Sequence, residues 1–219
     1  MSTIVIIGAG KGLGAAVARK FGAQGFNVAL ISRTQSNVDA LAADLRQAGI
    51  NARGYAASVR DAEALGTALD RAASELGPID VLEYSPIPQR EFLRPVLDTT
   101  RDDLIAAVEF SVLGPVAAVG HVLPSMRKQG RGTVLFVNGA SATRPNPNVA
   151  GTSIAFAGES AYAQMLHTEL ADSGVHVAQL IIPGAITPGH PTHDPDVLAD
   201  KLWTMHTTHS SFREVLDAA

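Results

Sequence analysis

A doubly wound parallel α/β sheet in three αβα layers is the fold class this sequence predicts, and three features predict it. Short β-branched runs alternate with longer segments that carry apolar residues at helical spacing. The first and fifth runs are apolar at successive positions, as strands covered on both faces require. Glycines cluster between the first strand and the first helix, where the chain must turn tightly onto the sheet. Right-handed crossovers leave few topologies, and the strand order 3-2-1-4-5-6 is the first choice.

The elements follow in order. TIVIIG (3–8) is the first strand and GAAVARKFGAQG (14–25) the first helix. NVALIS (27–32), VDALAADLRQAG (38–49) and ARGYAA (52–57) give strand, helix and strand. DAEALGTALDRAASELG (61–77) is helical, and DVLEYS (80–85) is the fourth strand. A long helical segment spans about 100–128, GTVLFVN (132–138) is the fifth strand, 150–173 is helical, and HVAQLII (176–182) is the sixth strand. Gly25, Gly49, Gly77, Gly130 and Gly174 each stand just past a helical run, where a left-handed residue is wanted. The irregular PGAITPGHPTHDPD (183–196) follows the sixth strand at its carboxyl end, where ligands bind in such sheets. Residues 1–219 read as one domain, with 183–219 its substrate-side loop and C-terminal helical region. No repeat or linker divides it.

Composition narrows the function. The 219 residues are 46% hydrophobic and 17% charged, ordinary for a soluble globular chain. A net charge of −4 and a pI near 5.9 give no reason to expect nucleic acid or an anionic membrane as partner. Without cysteine there is no disulfide, thiolate nucleophile or cysteine metal site. The N-terminal MSTIVIIGAG lacks a basic leader, and no apolar run approaches the roughly 18 residues of a membrane span. A cytoplasmic protein acting on a small molecule or nucleotide is the expectation.

IIGAGKGLGAAVARKF places Gly8, Gly10, Lys11, Gly12, Leu13 and Gly14 between strand and helix. Glycines there let the backbone approach a pyrophosphate, whose charge meets free N–H groups at the helix N-terminus. At the end of the second strand, a carboxylate would bind the ribose 2′-OH of NAD. Here the strand ends in Ser32 and Arg33, with no acid before Asp39. Arg33 and Lys11 favour a 2′-phosphate, since a guanidinium forks onto its oxygens. NADP(H) is the expected cofactor.

These residues resemble the short-chain dehydrogenase/reductase family. Gly8-x-x-x-Gly12-x-Gly14 matches its cofactor loop, GPIDVLEYSPI (77–87) its fourth strand, GTVLFVNGASA (132–142) its fifth, and VHVAQLIIPGAIT (175–187) its sixth with the Pro183-Gly184 turn. The resemblance implies a Rossmann-like fold and hydride transfer between a nicotinamide cofactor and a carbonyl or alcohol. It also implies an Asn-Ser-Tyr-Lys set: tyrosine exchanges the proton, lysine lowers its pKa, serine positions the substrate oxygen and asparagine holds a relay water. Matched residue by residue, these positions are held by Ser111, Gly139, Thr152 and Phe156, so all four depart. Tyr84, Ser85 and Pro86 replace an Asn-Asn-Ala-Gly turn beside the cofactor. Ser58, next to Val59, replaces an aspartate at the adenine, and Thr187 lies one residue earlier than the family's threonine. The family's seventh strand is not recognisable after residue 188.

Candidate substitutes for the proton donor are Ser141, two residues past Gly139, and Tyr84, the phenol expected in the cofactor cleft. Tyr162 and Glu159 lie further along the Thr152 helix, each with a duller reading as a core residue or a solvated charge. His190, His193, Asp194, His206 and His209 read as surface groups rather than metal ligands, because a proline-bracketed loop preorganises ligands poorly. Trp203 is a hydrophobic anchor. The fourth and fifth helices carry more apolar residues than one sheet face covers, so a homodimer or homotetramer is expected. Three readings stay open: an NADP(H)-dependent oxidoreductase with altered catalytic groups, a non-catalytic NADP(H)-binding sensor or regulator, and a scaffold that ignores nucleotides.

Overall fold

The computed structural model describes residues 2–218. Its strands are β1 (Thr3–Ile7), β2 (Asn27–Ser32), β3 (Ala52–Ala56), β4 (Ile79–Tyr84), β5 (Gly132–Gly139), β6 (Val175–Ile182) and β7 (Arg213–Val215). The helices are α1 (Leu13–Ala23), α2 (Gln35–Gln47), α3 (Ala62–Leu76), α4 (Arg101–Val108), α5 (Gly114–Gln129), α6 (Ala150–Glu169) and α7 (Pro195–Thr208). All strand pairs are parallel, in the order β3-β2-β1-β4-β5-β6-β7.

The alternation of side chains along each strand divides the interior into two layers. Val5, Ile7, Leu82, Tyr84, Val134 and Phe136 face α3, α4, α5 and α6. Ile4, Ile6, Val81, Leu135, Ala178 and Leu180 face α1, α2 and α7. Leu30, wholly buried in the second layer, shows the scale of what holds the sheet: truncating such a side chain to alanine costs about 2–5 kcal/mol.

Three features depart from the sequence expectation. A seventh strand exists: β7 pairs with β6 through Gln179↔Arg213, Leu180↔Glu214 and Ile181↔Val215. Three half-polar residues carry no periodic signal, and only the pairing makes them a strand. The long fourth helix is interrupted by a π-turn over Glu109–Leu113, in which the Gly114 N–H reaches back five residues to the Glu109 carbonyl. Pro115 starts the next turn without an N–H to offer Ser111, so the regular ladder cannot continue. The whole run Arg101–Gln129 is also long and apolar enough to cross a membrane by length and composition, with mean hydropathy 1.6 in its most apolar window. Ala107, Phe110, Ala118, Val119 and Val122 on it pack into the first layer.

Both sheet edges are guarded. On β3 the Gln35 amide donates to the Gly54 carbonyl and accepts from the Ala56 N–H, and Arg46 donates to the Ala52 carbonyl. On the far side β7 is too short to template another chain.

Candidate active site and family

The first strand delivers the chain to Gly8 at φ +97°, where a Cβ would lie 2.6 Å from Pro86 Cα and N. Gly14 is held as closely: a Cβ there would meet Ala9 Cα at 3.0 Å. A Cβ on Gly12 would meet nothing within 4 Å. Gly12 is the N-cap of α1; no side chain caps it and no acid stands in the first turn. The positive end of this helix is therefore open to an anionic group.

The loop forms one wall of a cleft of about 490 Å³ across the carboxyl ends of β1, β4, β5 and β6. Ser85 and Pro86 lie beside the loop, Asn138, Gly139, Ser141, Thr152 and Phe156 form the opposite wall, and Gly184, Ile186 and Pro188 close over it. Lys11 is the one ionisable residue among the described residues lining it. A second hollow of about 320 Å³ shares Gly8, Gly10 and Pro86, and runs on to Ser32, Arg33, Ala57 and Val59. Together the two hollows cross the sheet end at the change of direction between β1 and β4, where doubly wound sheets bind ligands.

The far wall is hydroxylic and apolar. Gly139 is extended, and the Phe156 ring lies 3.8 Å from the place its Cβ would take. Phe156 packs with Ala142 and Ile181. The buried Thr152 hydroxyl donates to the Phe92 carbonyl at 3.3 Å. Ser141 sits in a single 3₁₀ turn, Ala140–Ala142, and is nearly buried.

Comparison with known proteins matches residues 2–194 to the short chain dehydrogenase family. The chain belongs to that family. Over 201 residues it is 31% identical to the short-chain reductase protein NovJ of Streptomyces niveus, covering 92% of this chain and 74% of that protein. It is 29% identical to the human dehydrogenase/reductase SDR family member 4 over 80% of this chain, which spans 62% of that protein. Among solved structures, a short-chain dehydrogenase from Rhodopseudomonas palustris superposes with TM-score 0.87 at 24% identity, covering 100% of this chain and 99% of that one. A metagenomic short-chain oxidoreductase in complex with NADP gives 0.87 at 21%, covering 100% and 97%. L-sorbose reductase from Gluconobacter frateurii, complexed with NADPH and L-sorbose, gives 0.89 at 18%, covering 99% and 95%.

Within this short-chain dehydrogenase the sequence-assigned positions separate into two groups. Gly8, Gly10, Lys11, Gly12, Leu13, Gly14, Ser85, Gly139, Ser141, Thr152, Phe156 and Gly184 line the main cleft, and Ser32, Arg33 and Val59 the second hollow. Ser58, Ser111, Tyr84, Pro183 and Thr187 line neither. Ser58 accepts the Arg60 N–H within its own turn, and Ser111 is buried in the π-turn. Tyr84 is not in the cleft as expected. Strand alternation turns it to the α5 side, where it is 2% exposed and donates to the Phe110 carbonyl.

Two acids of this family member lie beneath the cleft, and neither is solvated. Glu159, read from the sequence as a candidate acid or a solvated charge, is 1% exposed, and burial holds its pKa well above the carboxylate range. Its Oε1 has no hydrogen-bond partner, nor has the nearby Asn138 Nδ2; the amide faces the acid outside hydrogen-bonding geometry. Asn138 is fixed from the other side. Gln179 Nε2 donates to its Oδ1 at 2.7 Å, and Gln179 Oε1 accepts from Ser160 and from Arg213 of β7. Glu83, the penultimate residue of β4, is fully buried. In sequence it is one of two acids in DVLEYS, with Asp80, and periodicity alone gave it no role.

Among these histidines His193 departs from the surface reading, while His209 is exposed and His190 and His206 are partly buried. His193 is fully buried, its Nε2 2.8 Å from the Pro183 carbonyl oxygen, while its own carbonyl accepts from the Thr187 N–H. It pins the 183–194 loop that carries Gly184 and Ile186 over the cleft. Asp194 caps α7 by accepting from the Asp196 N–H. His206 and His209 lie at the opposite end of the sheet, where His209 stacks on His176 with ring centroids 4.3 Å apart. Trp203 anchors α7 against Phe21 and Phe26, as expected.

Proposed function

We propose that this short-chain dehydrogenase binds NADP(H) and acts on a carbonyl or alcohol with weak or altered catalysis. The observation that carries the proposal is a cleft built for a dinucleotide whose far wall offers hydroxyls but no ionisable group. The uncapped end of α1 and the open space at Gly12 fit a pyrophosphate. Ser32 and Arg33 border the hollow that an adenosine would fill, and Lys11 stands at the other side of Gly10. Two cations and no carboxylate favour a phosphorylated ribose. The relatives solved with NADP and NADPH support the same preference.

A bound NADPH would supply the hydride. The chain's own part is to orient substrate and deliver a proton, and here it is poorly equipped. Thr152 and Ser141 can donate a hydrogen bond to a substrate oxygen, but an aliphatic hydroxyl is far less acidic than a phenol, whose pKa is about 10. Phe156 brings no charge to help it. Losing a general acid removes about 10²–10⁴-fold in rate. The same wall also favours a second reading, a non-catalytic NADP(H)-binding regulator.

Titration with NADPH and NADH followed by a panel of ketones, aldehydes and quinones tests the proposal. Tighter NADPH binding with slow turnover supports it. Equal or absent binding of both nucleotides defeats the cofactor assignment. Turnover at ordinary enzyme rates, of order 1–10³ s⁻¹, defeats both the weak-catalysis and the regulator readings. We also propose that the protein self-associates, through an apolar face described below.

A further inference from the structure

Glu83 sits at the centre of the sheet with no exposure, and neither carboxyl oxygen has a hydrogen-bond partner. Its register partners are Ile6 on β1 and Leu135 on β5. Both belong to the layer under α1 and α7, so alternation puts the carboxyl on that side. β1 and β5 carry no charged residue. The ionisable side chains of the two helices are engaged elsewhere: Arg19 with Asp196, Lys20 with Asp200, Lys201 with Glu214, and His206 with Thr133. Among the described residues no charge answers the carboxylate. Burial therefore keeps the acid neutral, its pKa pushed up to about 8, while the Ser85 hydroxyl acts more weakly in the opposite direction.

Two contacts connect this acid to the cleft. Ser85, two residues on and on the same side of the strand, lines it. Gly14, in the first turn of α1, rests on Ile6: a Cβ there would lie 3.5 Å from Ile6 Cγ2. Since Ile6 is the strand neighbour of Glu83, a single side chain links the acid's position on β4 to the helix end that would receive the pyrophosphate. A carboxylate and a pyrophosphate would compete for that one positive terminus across a buried apolar layer.

We propose that Glu83 is a proton carrier buried beneath the dinucleotide cleft and outside its lining: the phosphates seat fully only while it is protonated, so nucleotide binding is coupled to proton uptake. This rests on the cleft being an NADP(H) site. An uncharged aliphatic residue at position 83 would pack the layer at no cost in desolvation, so the buried acid costs stability that packing does not account for.

The test is calorimetric titration of NADPH into the wild-type protein between about pH 7 and pH 9, in paired buffers of different ionisation enthalpy. The 2′-phosphate titrates near pH 6, below this window. Proton uptake near pH 8 is expected, with affinity falling by up to about tenfold per pH unit above it. Glu83→Gln removes both effects while retaining NADPH binding, and Glu83→Leu serves the same purpose if the amide prevents folding. Buffer-independent heats with a flat affinity profile in the wild type overturn the proposal and leave the NADPH site standing. An unchanged pH dependence in Glu83→Gln also overturns it. No NADPH binding at pH 7 removes the cofactor assignment and this proposal with it.

Discussion

The Tyr84 hydroxyl donates to the Phe110 carbonyl across 2.5 Å. The π-turn creates the vacancy it fills, because the Gly114 N–H has moved on to the Glu109 carbonyl. Gly114 leaves room for it: a Cβ there would come within 2.6 Å of the Tyr84 oxygen. Tyr84→Phe would leave a buried carbonyl without its donor, at a cost of about 1–3 kcal/mol. Denaturant unfolding should show that loss with NADPH affinity nearly unchanged. A large loss of affinity at full stability would instead return Tyr84 to the cleft.

Much of this was legible in the sequence, for identifiable reasons. β1 to β6 fall within a residue of their expected bounds, most of them because strands buried on both faces carry long apolar runs, and the half-exposed β3 because it sits between a helix end and the next cap. The glycine loop was legible because only glycine tolerates the approach of Pro86 to Gly8. What the sequence hid depends on partners distant in the chain. β7 exists through pairing with β6, the Tyr84 hydroxyl finds its acceptor through the π-turn, and the burial of His193 comes through the Pro183 carbonyl. Glu83 and Glu159 are ordinary acids in sequence; only the packing around them makes them neutral.

Arg33 tests the cofactor preference. Arg33→Ala should weaken NADPH binding by roughly 10–100-fold, the worth of a charge-assisted hydrogen bond of about 1.5–3 kcal/mol. NADH, which lacks the 2′-phosphate, should be nearly unaffected. Parallel losses for the two nucleotides, measured by fluorescence titration, would mean that Arg33 serves the fold or the adenine instead.

The far wall can be rebuilt. Thr152→Tyr with Phe156→Lys restores a phenol and a cation on one helix face, four residues apart. Carbonyl reduction with NADPH should rise, by up to about 10²-fold, if the missing acid limits the reaction. Stability should fall, because Phe156 leaves its contacts with Ala142 and Ile181. Unchanged rates with intact NADPH binding would place the deficit elsewhere in the cleft.

Acid should loosen the end of the sheet opposite the cleft. Burial lowers the His176 pKa from 6.5 to about 4, with His209, His167 and His206 adding like charge, and its Nε2 has no partner. Burial lowers His206 as well, followed by His209, while Asp80 opposes the shift. The unfolded chain takes up these protons first. The histidines' contribution is therefore complete above pH 6.5 and is lost progressively as pH falls toward 4. Trp203, the only tryptophan, lies 5.4 Å from the His206 ring and reports the change by fluorescence. His176→Phe should flatten the dependence of the melting temperature over that range. An equally steep dependence in the variant would assign the acid sensitivity to carboxylates.

One face of the molecule remains apolar in water. Ile105 on α4, Leu113 in the π-turn, Val116 on α5, and Ile154 and Met165 on α6 are 39–63% exposed. The two helical segments touch one another, a Cβ at Gly158 coming within 3.0 Å of Val112 Cγ2, so these side chains form parts of one surface. Exposed apolar patches of this kind mark interaction sites. A second copy of the chain is the expected occupant, since a two-fold contact sets the same apolar patch against itself. Sedimentation at micromolar concentration should find a dimer or tetramer. Leu113→Glu with Met165→Glu should yield a folded monomer, because each exposed site accepts a charge in the free chain but not in a dry interface. A wild-type protein that sediments as a monomer across this range would leave the surface without a self-partner.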